Sequence, residues 1–168
     1  MKSERPIGIR VREVTHSDLP AIARIGAESF SGLRPPERAT QWVASCFAAF
    51  PRMRYWVAEK EGNIVAYILW VEKGGFRDQA VVELEQIAVS PALRGKGIGH
   101  ELVTETVKSI EQQIRDRGGV LKLVEVTTGS EQHAIDFYRQ TLGAEVVAQI
   151  PDYFRGDEFV LIARRTKQ

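Results

Sequence analysis

The segment Arg94-Gly95-Lys96-Gly97-Ile98-Gly99 combines three alternating glycines with two cations. Alternating glycines remove side chains where backbone must come close to something. The segment lies between a strand-like run and a long amphipathic stretch. The first N–H groups of a helix starting here would have no internal acceptor. They can donate to phosphate, aided by the helix dipole. Arg94 and Lys96 add charge, so the segment suits a pyrophosphate cradle. A plain strand-to-helix turn would use the same glycines. Two other phosphate motifs fail: the third glycine of a dinucleotide fingerprint would fall at His100, and no Gly-Lys-Ser/Thr lies here.

Upstream, Glu83 and Glu85 are two residues apart on a strand-like run, so they share a face with Ile87 and Val89. A carboxylate among apolar neighbours has a raised pKa, which suits a general base. The alternative is that one or both pair with arginine or face solvent. His16, His100 and His133 are scattered without metal spacing, and no metal is expected. Cys46, on an apolar helical face, reads as core rather than nucleophile. Trp42, Trp56 and Trp70 read as core or pocket walls.

These residues need elements to hold them. Apolar alternation predicts a first strand over Ile7 to Val14. Ser17 or Asp18 can cap a helix with Pro20 in its first turn and Leu19, Ile22, Ala23, Ile25 and Phe30 on its face. Pro35-Pro36 breaks the chain, and Glu37 to Phe50 predicts a second helix with Trp42, Val43, Cys46 and Phe47 at helical spacing. Tyr55 to Glu59 and Ile64 to Glu72 predict a hairpin turning at Glu61-Gly62-Asn63. Ala80 to Val89 predicts a strand. A helix follows, with Ile98, Leu102, Val103, Val107, Ile110 and Ile114 on one face, ended by Gly118-Gly119. Then come a strand over Val120 to Val126, a helix over Glu131 to Leu142 closed by Gly143, and strands over Glu145 to Ile150 and Glu158 to Arg164. This order fits a three-layer α/β sandwich on one mixed, mostly antiparallel sheet of about seven strands.

Composition bounds the rest. A chain of 168 residues with 43% hydrophobic and 27% charged residues suits one soluble domain, residues 1–168. The 23 Lys and Arg nearly balance 22 Asp and Glu, so no general field attracts nucleic acid or anionic lipid. Met1 to Arg5 is polar and charged, with no secretory apolar run after it, and no stretch approaches a membrane span. With one cysteine no internal disulfide can form. A cytoplasmic location is the expectation.

Arg94, Gly97 and Gly99 match the Arg/Gln-x-x-Gly-x-Gly/Ala signature of the GNAT acetyltransferases. Leu84-Glu85-Gln86-Ile87-Ala88-Val89-Ser90-Pro91 is similar to that family's fourth strand. Ala134-Ile135-Asp136-Phe137-Tyr138 with Leu142-Gly143 resembles its helix after the fifth strand. At Glu131 many relatives carry asparagine, and at Ala144 many carry phenylalanine. The resemblance implies a GNAT-like α/β/α fold and acetyl-CoA as cosubstrate. Its pyrophosphate would lie on Arg94, Gly95, Lys96, Gly97, Ile98 and Gly99, its pantetheine arm along Ile87, Ala88 and Val89. Glu131 and Tyr138 would also touch it. A backbone N–H of the fourth strand would polarise the thioester carbonyl. The implied reaction is direct attack by a primary amine, of a small molecule or a peptide, in a ternary complex. Glu85, slightly favoured over Glu83, would be the base, and Tyr138 the acid for the departing thiolate.

The implied acceptor side spans about Phe30 to Arg54 and Ile150 to Asp157. There Arg34, Arg38, Arg52 and Arg54 could meet a carboxylate, while Asp152, Asp157 and Glu158, beside Tyr153 and Phe154, could meet an ammonium. A homodimer stays open. The other function open at this stage is an acyl-CoA sensor without turnover.

Overall fold

The computed structural model describes residues 8–166. Ile7, the expected start of the first strand, and the polar segment Met1 to Arg5 lie outside them. The elements in order are β1 (Ile9–Glu13), α1 (Leu19–Ser29), α2 (Pro36–Ala48), β2 (Met53–Lys60), β3 (Asn63–Lys73), β4 (Gln79–Val89), α3 (Ile98–Asp116), β5 (Val120–Gly129), α4 (Gln132–Leu142), β6 (Glu145–Ile150) and β7 (Glu158–Arg164). Short 3-10 turns at His16–Asp18, Ser31–Leu33 and Pro91–Leu93 were not expected.

The seven strands form one mixed sheet in the order β1-β2-β3-β4-β5-β7-β6. β4 and β5 run parallel, while β1–β2, β5–β7 and β6–β7 are antiparallel. No helix among the described residues is long and apolar enough to cross a membrane. The chain divides into two compact units. The first holds the residues up to Trp70 and Gln86–Thr106, the second Val71–Glu85 and the residues from Val107 on.

In the first unit, Ile22, Ala23 and Ile25 of α1 and Val43 and Cys46 of α2 are buried, as their spacing requires. The Asp18 side chain does not cap α1. It turns instead to Thr15 N–H (2.7 Å) and to both terminal nitrogens of Arg12 (2.7 and 2.9 Å). Trp42 corrects the core reading: it is 40% exposed, whereas Trp56 and Trp70 are buried. The β2–β3 turn holds Glu61 and Gly62 at positive φ, the two-residue geometry that matches strand twist, so Asn63 already belongs to β3. Trp70 Nε1 donates to Thr106 Oγ1 at 2.9 Å, satisfying both buried polar groups.

All six apolar residues predicted for the face of α3 are buried. Gly118 at positive φ follows the helix end, and Gly143 in the left-handed region closes α4. In the second unit, the buried Glu72 carboxylate is held by the Arg117 guanidinium.

Candidate active site

The glycine turn sits in the first unit, after β4 and the turn Pro91–Leu93. Gly95 and Gly97 both have positive φ, 73° and 79°, a region that side chains other than glycine rarely enter. The Glu101 N–H donates to Gly97 O at 3.0 Å, the first bond of α3. The N–H groups of Ile98, Gly99 and His100 precede that bond, so helix geometry gives them no internal acceptor. They form the positive end of a 19-residue helix.

Arg94 plays a part the sequence did not suggest. Its Nε donates to Val89 O at 3.0 Å and its Nη2 to Ser29 Oγ at 3.2 Å. The guanidinium thus ties the end of β4 and the last residue of α1 to the turn, besides adding charge. Ser90 N–H donates to Val65 O at 2.8 Å, keeping the end of β4 on β3. Ile87, Ala88, Val89 and Arg94 to Gly99 therefore form one continuous strand–turn–helix feature. Beside it, Tyr67, fully buried, donates from its hydroxyl to Gln86 Oε1 at 3.2 Å. Burial pushes this phenol well above its ordinary range.

A cleft of about 870 Å3 opens in the same unit, lined by one face of α1, the start of α2 and Pro91. Four prolines and two alanines contribute to its walls. Arg34 was expected to be available to an acceptor carboxylate. Instead it donates to Ala27 O (2.9 Å) and Glu28 O (3.3 Å), closing the end of α1. Arg54 is buried.

In the second unit, the β4 glutamate Glu83 meets a cation that the sequence reading did not name. Lys73 Nζ lies 3.3 Å from Glu83 Oε2 and 2.8 Å from Glu125 Oε1. Glu85 is exposed. Lys73 and Glu125 were missed because only strand register brings them to Glu83, and composition does not encode register. Glu131 is the N-cap residue of α4 and uses its carbonyl, not its side chain, to accept from Ala134 and Ile135 N–H. Its carboxylate stands over Gly129, where a Cβ would approach Oε2 to 2.8 Å. Burial first, and the Glu131 charge second, hold the Glu158 carboxyl above its usual range.

Tyr138, seven residues further along, is half-buried with its ring edge-on to Phe137 at 5.1 Å. Burial pushes its phenol up to about 12, so it keeps its proton through the neutral range and can donate it. Ala144 is fully buried, and its N–H donates to Tyr138 O at 3.4 Å. Between β6 and β7, Tyr153 and Phe154 are exposed and stacked edge-on at 4.6 Å. Asp157 reaches back to β6, accepting from Gln149 Nε2 at 2.5 Å.

Residues 19–144, from the start of α1 to the start of β6, match the model of the Acetyltransferase (GNAT) family. The chain belongs to that family. An uncharacterized N-acetyltransferase of Methanocaldococcus jannaschii is 23% identical over 154 residues, covering 86% of this chain and 64% of that one. The chain thus spans less than two thirds of that relative's length. The GNAT fold is also that of the ribosomal-protein-S18-alanine N-acetyltransferase of Escherichia coli, with TM-score 0.70, 19% identity and coverage of 95% and 96%. An aminoglycoside 6'-N-acetyltransferase solved with coenzyme A gives TM-score 0.75, 14% identity and coverage of 95% and 98%. At such identities the likeness to solved structures is one of fold.

Proposed function

We propose that this chain, acting as one domain, transfers an acetyl group from acetyl-CoA to a primary amine of a small molecule or peptide. The observation that carries the reading is the glycine turn at the start of α3, with two glycines at positive φ and three N–H groups without helical acceptors. Pyrophosphate binds there, held by backbone donors and the helix dipole. The pantetheine arm lies along Ile87 to Val89, and a backbone N–H of that segment stabilises the oxyanion. The solved aminoglycoside enzyme with coenzyme A, a relative in fold, supports the choice of cosubstrate.

The amine must attack unprotonated. A lysine-like amine costs about 4.6 kcal/mol to neutralise at pH 7, an α-amine only about 1 kcal/mol. We assign the base to Glu85, acting through water. Glu85 is exposed, so a water can reach it, and Glu83 lies against the Lys73 ammonium. Tyr138 donates to the departing thiolate. Neither acceptor type, the amino terminus of a protein or an amino sugar, is favoured over the other by the fold relatives.

The test is a panel of amines and peptides with acetyl-CoA, read by free-thiol release, with Glu85→Gln and Glu83→Gln in parallel. The expected result is turnover with some acceptors, and loss of the acidic limb of the pH–rate profile in Glu85→Gln. Binding of acetyl-CoA without turnover on any amine would make the chain a sensor instead. Wild-type rates in both variants across about pH 6–9 would remove the β4 base.

A further inference from the structure

In the parallel pairing of β4 with β5, the register runs from Gln79↔Val120 to Glu83↔Glu125. That final pair sets two carboxylates side by side, about 5 Å apart at their Cβ atoms, where like charges oppose pairing. β4 itself continues to Val89 and β5 to Gly129. The last residue of β3, Lys73, reaches both carboxylates, at 2.8 Å and 3.3 Å. We propose that Lys73 is a positioning residue: its ammonium holds Glu83 and Glu125 together where the paired register ends, and so fixes the course of the β4 segment that follows, from Glu85 to the cofactor-binding backbone. This rests on the acetyl-CoA reading of that backbone.

Burial works against the Lys73 charge, but the hydrogen bond to Glu125 and the charges of Glu83 and Glu125 outweigh it, and its pKa is raised. The ammonium therefore persists through the neutral range. Glu85 follows on the same face of β4, and the register partner of Glu125 on β7 is the apolar Ile162. No second cation touches the Glu83–Glu125 pair among the contacts of the described residues. Without Lys73, the two like charges would repel and separate.

The experiment measures coenzyme A affinity by calorimetry for wild type, Lys73→Met, Lys73→Arg and the double variant Lys73→Met with Glu125→Gln. Each is compared with wild type at the same pH, so that titration of the ligand cancels. Lys73→Met is expected to bind about 10-fold more weakly. Lys73→Arg and the double variant are expected to follow wild type. A Lys73→Met deficit that the double variant does not repair would overturn the positioning role and leave a plain structural ion pair. If Lys73→Met does not fold, the double variant decides: one that folds and binds supports the pin, one that folds but binds weakly refutes it, as does failure of both to fold. Wild type that binds no coenzyme A would instead sink the proposed function, and this inference with it.

Discussion

Gly26 of α1 and Tyr67 of β3 are fitted to each other: a Cβ at Gly26 would lie 3.0 Å from the Tyr67 hydroxyl oxygen and 3.1 Å from Leu33 Cδ1. Tyr67 is fully buried, lies edge-on to Tyr55 and hydrogen-bonds Gln86, so it has little room to retreat. Gly26→Ala gains up to about 1 kcal/mol of helix propensity but meets overpacking worth about 1–3 kcal/mol. A net loss of stability is expected in urea unfolding. Adding Tyr67→Phe, which deletes the oxygen in the way, should return part of it. A Gly26→Ala protein as stable as wild type would show that α1 shifts freely over β3.

Gly97→Val should abolish acetyl-CoA binding in calorimetry while circular dichroism still reports a folded chain. At a φ of 79° a side chain costs about 1–2 kcal/mol, a fraction of the ~5–15 kcal/mol that holds a domain together. The larger effect is to put a branched side chain where phosphate must approach backbone. Unchanged affinity would move the pyrophosphate elsewhere.

Tyr138→Phe keeps the ring against Phe137 and removes only the hydroxyl. A thiol with pKa near ~8.5 leaves fairly well unaided, so donation should help the rate by about 10- to 1000-fold and not be absolute. Lower kcat with nearly unchanged acetyl-CoA affinity and Tm is expected. Early melting with normal turnover when folded would make Tyr138 a packing residue.

Asp18 should leave a signature in acid. The Arg12 hydrogen bonds first, with Thr15 donors helping against burial, hold its carboxyl at about 2, below the ordinary 3.8. A carboxyl depressed on folding stabilises above its unfolded pKa, and that contribution fades as pH falls from about 4 through about 2. With Arg12 partly exposed and screened, it is worth about 1–2 kcal/mol. Asp18→Asn should therefore be less stable than wild type at pH 7 by about that much, with the gap closing near pH 2. A gap that stays constant with pH would mean the loss is not electrostatic.

The element order, and β6 and β7 to the residue, were legible because clear breakers bound most segments and the helices repeat their apolar residues at one period. The face of α3 was equally legible, since six apolar positions at 3.6 spacing have one way to be buried. Trp42 misled, because helical spacing shows which residues share a side but not what covers that side. At the site, the glycine turn was readable from local backbone needs. That an ammonium holds Glu83 was not, because this depends on Lys73 and Glu125, 10 and 42 residues away along the chain. Arg94 looked like a bare charge for the same reason: Ser29 lies 65 residues before it.

Cys46 is the chain's one thiol, and only 4% of it is exposed. A thiol-reactive dye used to test the proposed transfer would therefore count released coenzyme A against almost no signal from the protein itself. The same shielding turns the cysteine into a stopwatch. Any slow labelling records how often the seam around α2 parts, so the reagent that measures catalysis also measures breathing.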